Sequence, residues 1–243
     1  MATLIFDIET VGEDWDSFDE ITKHTLTRWI ENSGRSSTEK EVWLMDIKSK
    51  LGFSPLTGRV VAVGVYDLER NQGAIYYSGT GEEVDEAVGE YVLKQRTETE
   101  MLNDFWTGSL EYDTFVSFNG RVFDLPFLIH RSVACGVKPR VDMLNQRYLS
   151  RQYRPWHVDL FDQLTFYGSM SRRPGLHLFC RSYGLISPKT KDLSGDDVSK
   201  LYNKGMYRDI AMYNRGDVMA TCDLYRTWLA YLAPDYFFKR YEN

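Results

Sequence analysis

Asp7 and Glu9 stand one residue apart in LIFDIETVG, residues 4–12, where Leu4, Ile5, Phe6 and Ile8 supply the apolar run of a central strand. Side chains two apart on a strand project to the same face, so the spacing predicts two carboxylates side by side. Like charges held that close drive one of them toward its protonated form. A divalent cation removes the conflict, and hard oxygen donors suit Mg²⁺ or Mn²⁺ rather than zinc. The competing reading puts both acids beyond the strand end, in water, with Asp7 or Thr10 capping a turn. Only partners elsewhere in the chain decide between the two.

Two later segments offer such partners. VSFNGRVFDLPFL (116–128) places Asp124 just after a strand and at the start of a helix. An ordinary N-cap is one reading, and it is compatible with a second role if one carboxylate oxygen faces a cleft. YNRGDVMATCDLY (213–225) puts Tyr213 and Asp217 four residues apart on one face of the last long helix. Taken alone, that pair reads equally as a half-buried core tyrosine and a solvated acid.

The elements that must position these residues follow from periodicity and breakers. Residues 13–52 read as a helical insertion after the first strand. Phe18, Ile21, Leu26, Trp29 and Ile30 form one apolar stripe, and Val42, Met45, Ile47 and Leu51 another, broken by Asn32-Ser33-Gly34. GRVVAVGVYDL (58–68) and GAIYYSG (73–79) read as an antiparallel hairpin. Thr97 and Glu100 have capping-box spacing ahead of Met101, Leu102, Phe105 and Trp106. DTFVSF (113–118) is a strand that Asn119-Gly120 ends, and a helix over 123–134 carries Pro126 in its first turn. Residues 140–156 are irregular and basic. HVDLFDQL (157–164) reads as a short strand entering a helix, followed by helices over 176–183, 197–204 and 206–232. This order predicts an α/β fold, a mixed sheet with helices on both faces.

Composition is that of an ordinary globular protein, and no Gly/Ser/Pro-rich linker divides residues 1–243, so one domain is expected. There is no apolar run long enough for a membrane span, and the opening acidic strand does not read as a signal peptide. Cys135, Cys180 and Cys222 are too far apart for a CxxC pair, which argues against a disulfide framework or a zinc site and for a reducing, cytoplasmic compartment. Net charge is −6, yet residues 119–183 hold ten Lys/Arg against four acids. A basic middle on an acidic body fits a local polyanion track, or a solvated Arg-rich loop.

Together the segments D-x-E, N-G-x-x-F-D-x-P-F-L and Y-x-x-x-D, in that order, resemble the DEDD superfamily of 3′–5′ exonucleases in its tyrosine-bearing DEDDy branch. The likeness is closest to proofreading domains of family-B DNA polymerases and their free-standing relatives. It runs from residue 4 to about 229, except for the insertion and the basic loop. It implies a ribonuclease-H-like mixed sheet. It also implies that Asp7, Glu9, Asp124 and Asp217 hold two divalent ions, Mg²⁺ or Mn²⁺, and that Tyr213 is the fifth catalytic residue. Two such ions about 3.5–4 Å apart clamp the attacking and leaving oxygens of a phosphodiester. Asp7 would bridge both, Glu9 and Asp217 would complete one site, Asp124 would serve the other, and Tyr213 would orient the attacking water. The implied substrate is the 3′ end of single-stranded nucleic acid, DNA favoured, with nucleoside 5′-monophosphates released. With no polymerase domain following, the chain is expected to act alone or with a polymerase or repair partner in trans, and association with the nucleoid fits this.

Thr10, Asn119 and Phe123 flank the acids and are the nearest candidates to hold the terminal nucleotides, Phe123 either by stacking on a base or by packing in the core. Arg147, Arg151 and Arg154, interleaved with Tyr148, Tyr153 and Trp156, could line a single-strand track. His157 reads as structural. Asp159 and Asp162 read as acids behind the site, with Asp162 as a helix cap. The rival functions are a haloacid-dehalogenase-type phosphatase, which wants Asp where Glu9 stands, a non-catalytic nucleic-acid-binding module, and a structure-selective endonuclease.

Overall fold

A computed structural model describes residues 2–79, 85–187 and 197–239. Strand β1 (Thr3–Gly12) is followed by helices α1 (Glu20–Glu31) and α2 (Ser37–Lys50), then by β2 (Gly58–Asp67), β3 (Gln72–Tyr77), β4 (Asp85–Val88) and β5 (Tyr91–Gln95). Helix α3 (Glu98–Gly108), β6 (Thr114–Ser117), α4 (Asp124–Ala134), β7 (Trp156–Asp159) and α5 (Leu160–Leu164) come next. Then follow α6 (Leu176–Ser182), α7 (Val198–Asn203), α8 (Tyr207–Tyr231) and the short α9 (Asp235–Phe238). The described strands form one mixed sheet in the order β4-β5-β3-β2-β1-β6-β7. β1 runs antiparallel to β2 and parallel to β6, which is parallel to β7.

β1 is apolar on both faces because it is covered on both. Leu4, Phe6 and Ile8 pack with α3 and α4 residues such as Phe105 and Leu125, while Ile5 and Val11 pack toward α8 through Ile210 and Val218. The two-residue period therefore puts Asp7 and Glu9 on the α8 side. Asp7 sits opposite Gly64 on β2. A Cβ at Gly64 would lie 2.2 Å from Asn214 Oδ1 and 2.7 Å from Val218 Cγ2, so glycine is what lets α8 lie this close to the acid pair. The register of β1 against β2 shifts between Glu9 and Thr10, and Val61 is the extra residue of the bulge.

The hairpin β2–β3 forms as the sequence predicts, turning at Asn71 with φ of 50°. The capping box forms too: Glu100 N donates to Thr97 Oγ1 at 3.3 Å, and Thr97 N donates to Glu100 Oε2 at 2.8 Å. Two strands, β4 and β5, lie where the sequence reading places none. Their signal is short but present: Tyr91 and Leu93 are buried and alternate with half-buried Val92 and Lys94, after a turn at Gly89 with φ of 60°.

Residues 13–52 carry the helices α1 and α2, whose apolar stripes lie mostly outside the core. Ile30 and Leu51 are buried, whereas Ile21, Trp29, Val42 and Met45 are exposed. α1 and α2 pack on each other, with the Trp29 and Trp43 rings 4.8 Å apart and the Arg35 guanidinium 4.0 Å from the Trp43 ring. The end of the insertion is fastened to β1: Thr10 Oγ1 donates to the Gly52 carbonyl at 2.7 Å. A Cβ on Gly52 would sit 2.9 Å from Gly12 N, so backbone meets backbone at this join.

Candidate active site

Asp7 and Glu9 from β1 and Asp217 from α8 each turn one carboxylate oxygen into a common space, with these atoms within 4.8 Å of one another. The acids therefore do not lie past the strand end in water. Glu9 is buried and Asp7 half-buried. Burial, followed by the charges of Asp124, Asp217 and Glu9, pushes the Asp7 carboxyl well above the usual carboxylate range. Burial and then Asp217 do the same to Glu9. A donor set of clustered, mutually repelling oxygens fits a hard divalent cation, whose charge would remove both penalties.

Asp124 stands beside this group rather than in it, since the oxygens that share the 4.8 Å space belong to Asp7, Glu9 and Asp217, and it is held there otherwise than as an N-cap. The capping position of α4 is Phe123, which makes no side-chain cap bond, and Asp124 is the first helical residue. The turn at 119–123 is closed by backbone bonds from Val122 N and Phe123 N to the Asn119 carbonyl, and the Asp124 side chain is buried against β1. Its Oδ1 accepts the Ile8 N–H at 3.1 Å. Burial, then the nearby Asp159, raises its carboxyl to about 7.

Tyr213 lies one helical turn before Asp217 on α8. Burial first, and then the charges of Asp217, Glu9 and Asp7, push its hydroxyl well up from the ordinary tyrosine value, so it holds its proton. That hydroxyl can donate to and position a water, and it is a poor base.

Three further residues support the acids. Asn214 is fully buried, and its Nδ2 donates to Asp7 Oδ2 at 2.8 Å. This amide favours the ionised forms of Asp7 and Glu9 and opposes the burial penalty. Its signal in the sequence is a polar residue on the stripe Ile210–Asn214–Val218, which is otherwise apolar and buried. Gly64 provides the room for it. Asp159 braces the turn before Asp124, its carboxylate accepting from Asn119 N at 2.9 Å, Arg121 N at 2.9 Å and Phe161 N at 3.0 Å. It also caps α5, a role the sequence pattern gives to Asp162. Asp162 instead pairs with Arg147 through Nε at 3.0 Å and Nη2 at 2.6 Å. His157 is structural, as predicted: it is buried, with Nε2 2.8 Å from Ser117 Oγ.

The candidate strand contacts are placed as follows. Thr10 is fixed to Gly52 as described. Asn119 has φ of 64°, and its Oδ1 is buried without a described partner. Phe123 is half-buried, and its ring lies 5.6 Å from that of Phe127. Of the three arginines, Arg147 is held by Asp162, Arg154 pairs with Asp113, and Arg151 lies 5.9 Å from the Tyr148 ring. No described helix is long and apolar enough to cross a membrane.

A family described as a predicted 3′-5′ exonuclease related to the exonuclease domain of PolB matches residues 59–236, a span that includes Asp124, Tyr213 and Asp217. Comparison with curated proteins finds no match. Among solved structures, the chain is similar to the family B DNA polymerase from the hyperthermophilic archaeon Pyrobaculum calidifontis, with a TM-score of 0.56 and 20% identity. The match covers 94% of this chain and 24% of that one, so the chain spans about a quarter of the polymerase and the likeness concerns the fold. The mixed sheet flanked by helices agrees with the ribonuclease-H-like fold. The chain belongs to the family of predicted 3′-5′ exonucleases related to the exonuclease domain of PolB.

Proposed function

We propose that this chain is a metal-dependent 3′–5′ exonuclease of the DEDDy type, acting on single-stranded nucleic acid, DNA favoured, and releasing nucleoside 5′-monophosphates. The observation that carries this reading is the meeting of Asp7, Glu9 and Asp217 from opposite ends of the chain, with Tyr213 one helical turn away. Asp7, Glu9, Asp217 and Asp124 would hold two divalent ions, Mg²⁺ or Mn²⁺. Bound there, the ions supply Lewis-acid stabilisation of the charge that develops on the phosphodiester.

The chain's own groups do the rest. Asn214 orients Asp7 and opposes the burial penalty on its ionised form. The Ile8 amide holds Asp124 against the same strand. Tyr213, protonated, orients the attacking water toward phosphorus; the water oxygen forms the new P–O bond as the P–O3′ bond breaks, and the proton that the water gives up leaves the shortened strand with a 3′-hydroxyl. Thr10, Asn119 and Phe123 receive the terminal nucleotides. Arg151 offers its charge from the basic loop, and Arg147 and Arg154 do so only on exchanging Asp162 and Asp113 for phosphate. The chain would act alone or with a polymerase or repair partner in trans.

The test is a time course of 5′-labelled single-stranded DNA and RNA with Mg²⁺, Mn²⁺ or a chelator. The expected result is a ladder shortening from the 3′ end with either ion and an intact strand in chelator. Cleavage of a circular strand, or equal rates in chelator, would overturn it.

A further inference from the structure

The helical insertion has no counterpart in the motifs that define the acid cluster, yet it ends beside them. A cleft of about 830 Å³ starts at Thr10, the residue after Glu9. One wall is the end of β1 and the turn that follows, with Trp15. The second is the last turn of α2, with Lys48. The third is Arg59 on β2 together with α7, carrying Lys200 and Tyr202.

Two of its cations lie against aromatic rings. Lys48 Nζ is 5.2 Å from the centre of the Trp15 ring and makes no ion pair with a described residue. The Arg59 guanidinium is 5.6 Å from the Tyr202 ring, and its Nε is buried without a described partner. The other two have acids close by, Lys50 with Asp46 and Lys200 with Asp197. Glu13, Asp14 and Asp46 also line the cleft, so its net charge is small and its attraction is local. A cation beside a half-buried ring that lines the cleft matches one repeating ligand chemistry, a phosphate followed by a base.

Resting on the exonuclease reading, we propose that this cleft is a track for a further stretch of the single strand whose 3′ end reaches the acids, apart from the stretch that the basic loop meets, and that the insertion is its outer wall. The Thr10–Gly52 bond and the Gly12–Gly52 contact lock that wall to β1, so the track is held in fixed relation to the acid pair. An acidic peptide of a partner protein would use the same cations but would leave the rings without a stacking ligand.

The test compares wild type with Trp15→Ala/Lys48→Ala on two substrates. The nitrophenyl ester of thymidine 5′-monophosphate reaches only the reaction centre, and a strand of about twelve nucleotides also needs a track. The expected result is ester hydrolysis within about two-fold of wild type, with kcat/KM on the strand at least about ten-fold lower through KM. Equal strand kinetics for the two proteins overturns the track. Lys48→Glu alone, at an exposed position, is the second variant if the double one does not fold, and it is expected to show the same split. Binding of the labelled strand in chelator, read by anisotropy, decides the track even if wild type cleaves neither substrate and the exonuclease reading fails. Weaker binding by the variants supports the track. Unchanged binding, or binding of an acidic peptide in place of the strand, overturns it.

Discussion

The backbone N–H of Ile8 donates to Asp124 Oδ1 at 3.1 Å, across 116 residues of sequence. The amide that belongs to the residue between Asp7 and Glu9 thereby fixes the third acid to the strand carrying the first two. Register on β1 sets all three at once: the side chains of 7 and 9 face α8, and the intervening amide serves Asp124.

This relationship predicts a pH dependence. Asp124 is raised from near 4 to about 7 by burial and Asp159, so the folded state binds its proton more tightly than the unfolded chain does. Its contribution to stability is present below pH about 4 and is lost as pH rises through about 7. Chemical denaturation of the metal-free protein should therefore show wild type losing stability relative to Asp124→Asn across that window, with a slope of at most about 1.4 kcal/mol per pH unit. His157, driven down to about 3 by burial, titrates alike in both proteins and cancels. A difference that does not change with pH would refute the assignment.

Asp7→Ala or Asp217→Ala should abolish nuclease activity while leaving the melting temperature in chelator unchanged or raised. Removing one member of a buried like-charge cluster relieves repulsion that only a cation otherwise neutralises. Full activity in either variant would remove that residue from the site.

Tyr213→Phe should slow hydrolysis and leave Mn²⁺ affinity intact, because the hydroxyl holds its proton and serves to position rather than to ligate. Single-turnover rates measure this, and equal rates for the two proteins would show the hydroxyl idle.

Asn214→Ala removes the amide donor to Asp7. Loss of such an outer partner costs about 10–100-fold in metal affinity or activity. A Mn²⁺ titration checks it, with Asn214→Gln as a longer amide that cannot fit under Gly64. Wild-type affinity in the alanine variant would make the bond incidental.

Gly64→Ala should destabilise the protein by about 1–3 kcal/mol, since the new methyl collides with Asn214 and Val218 and forces α8 outward. Thermal melts give the stability and strand hydrolysis the activity, and both should fall. A neutral substitution would mean that α8 is not seated as described.

The legible part of this site is the part written in short spacings. A two-residue period places Asp7 beside Glu9, and a four-residue period places Tyr213 above Asp217. Asp124 is legible as a residue at a strand–helix junction but not in its geometry, because its partner is a backbone amide that no spacing reveals. Asn214 and Gly64 depend on how closely α8 lies on β2, a tertiary distance with only an indirect trace in the pattern. The stripes of α1 and α2 are legible as apolar faces and no further, because periodicity reports a face, not what covers it. The loop arginines read as free charge because Asp113 and Asp162 are remote or assigned elsewhere in the sequence.

That four acids from three distant segments surround divalent ions is tested most directly by Mn²⁺ binding. Electron paramagnetic resonance follows it for wild type and Asp7→Asn side by side. Two ions per chain are predicted for wild type. At least one should be lost when Asp7, the acid facing both Asp124 and Asp217, becomes an amide. Identical binding by the two proteins, or none by wild type, would contradict the four-acid site.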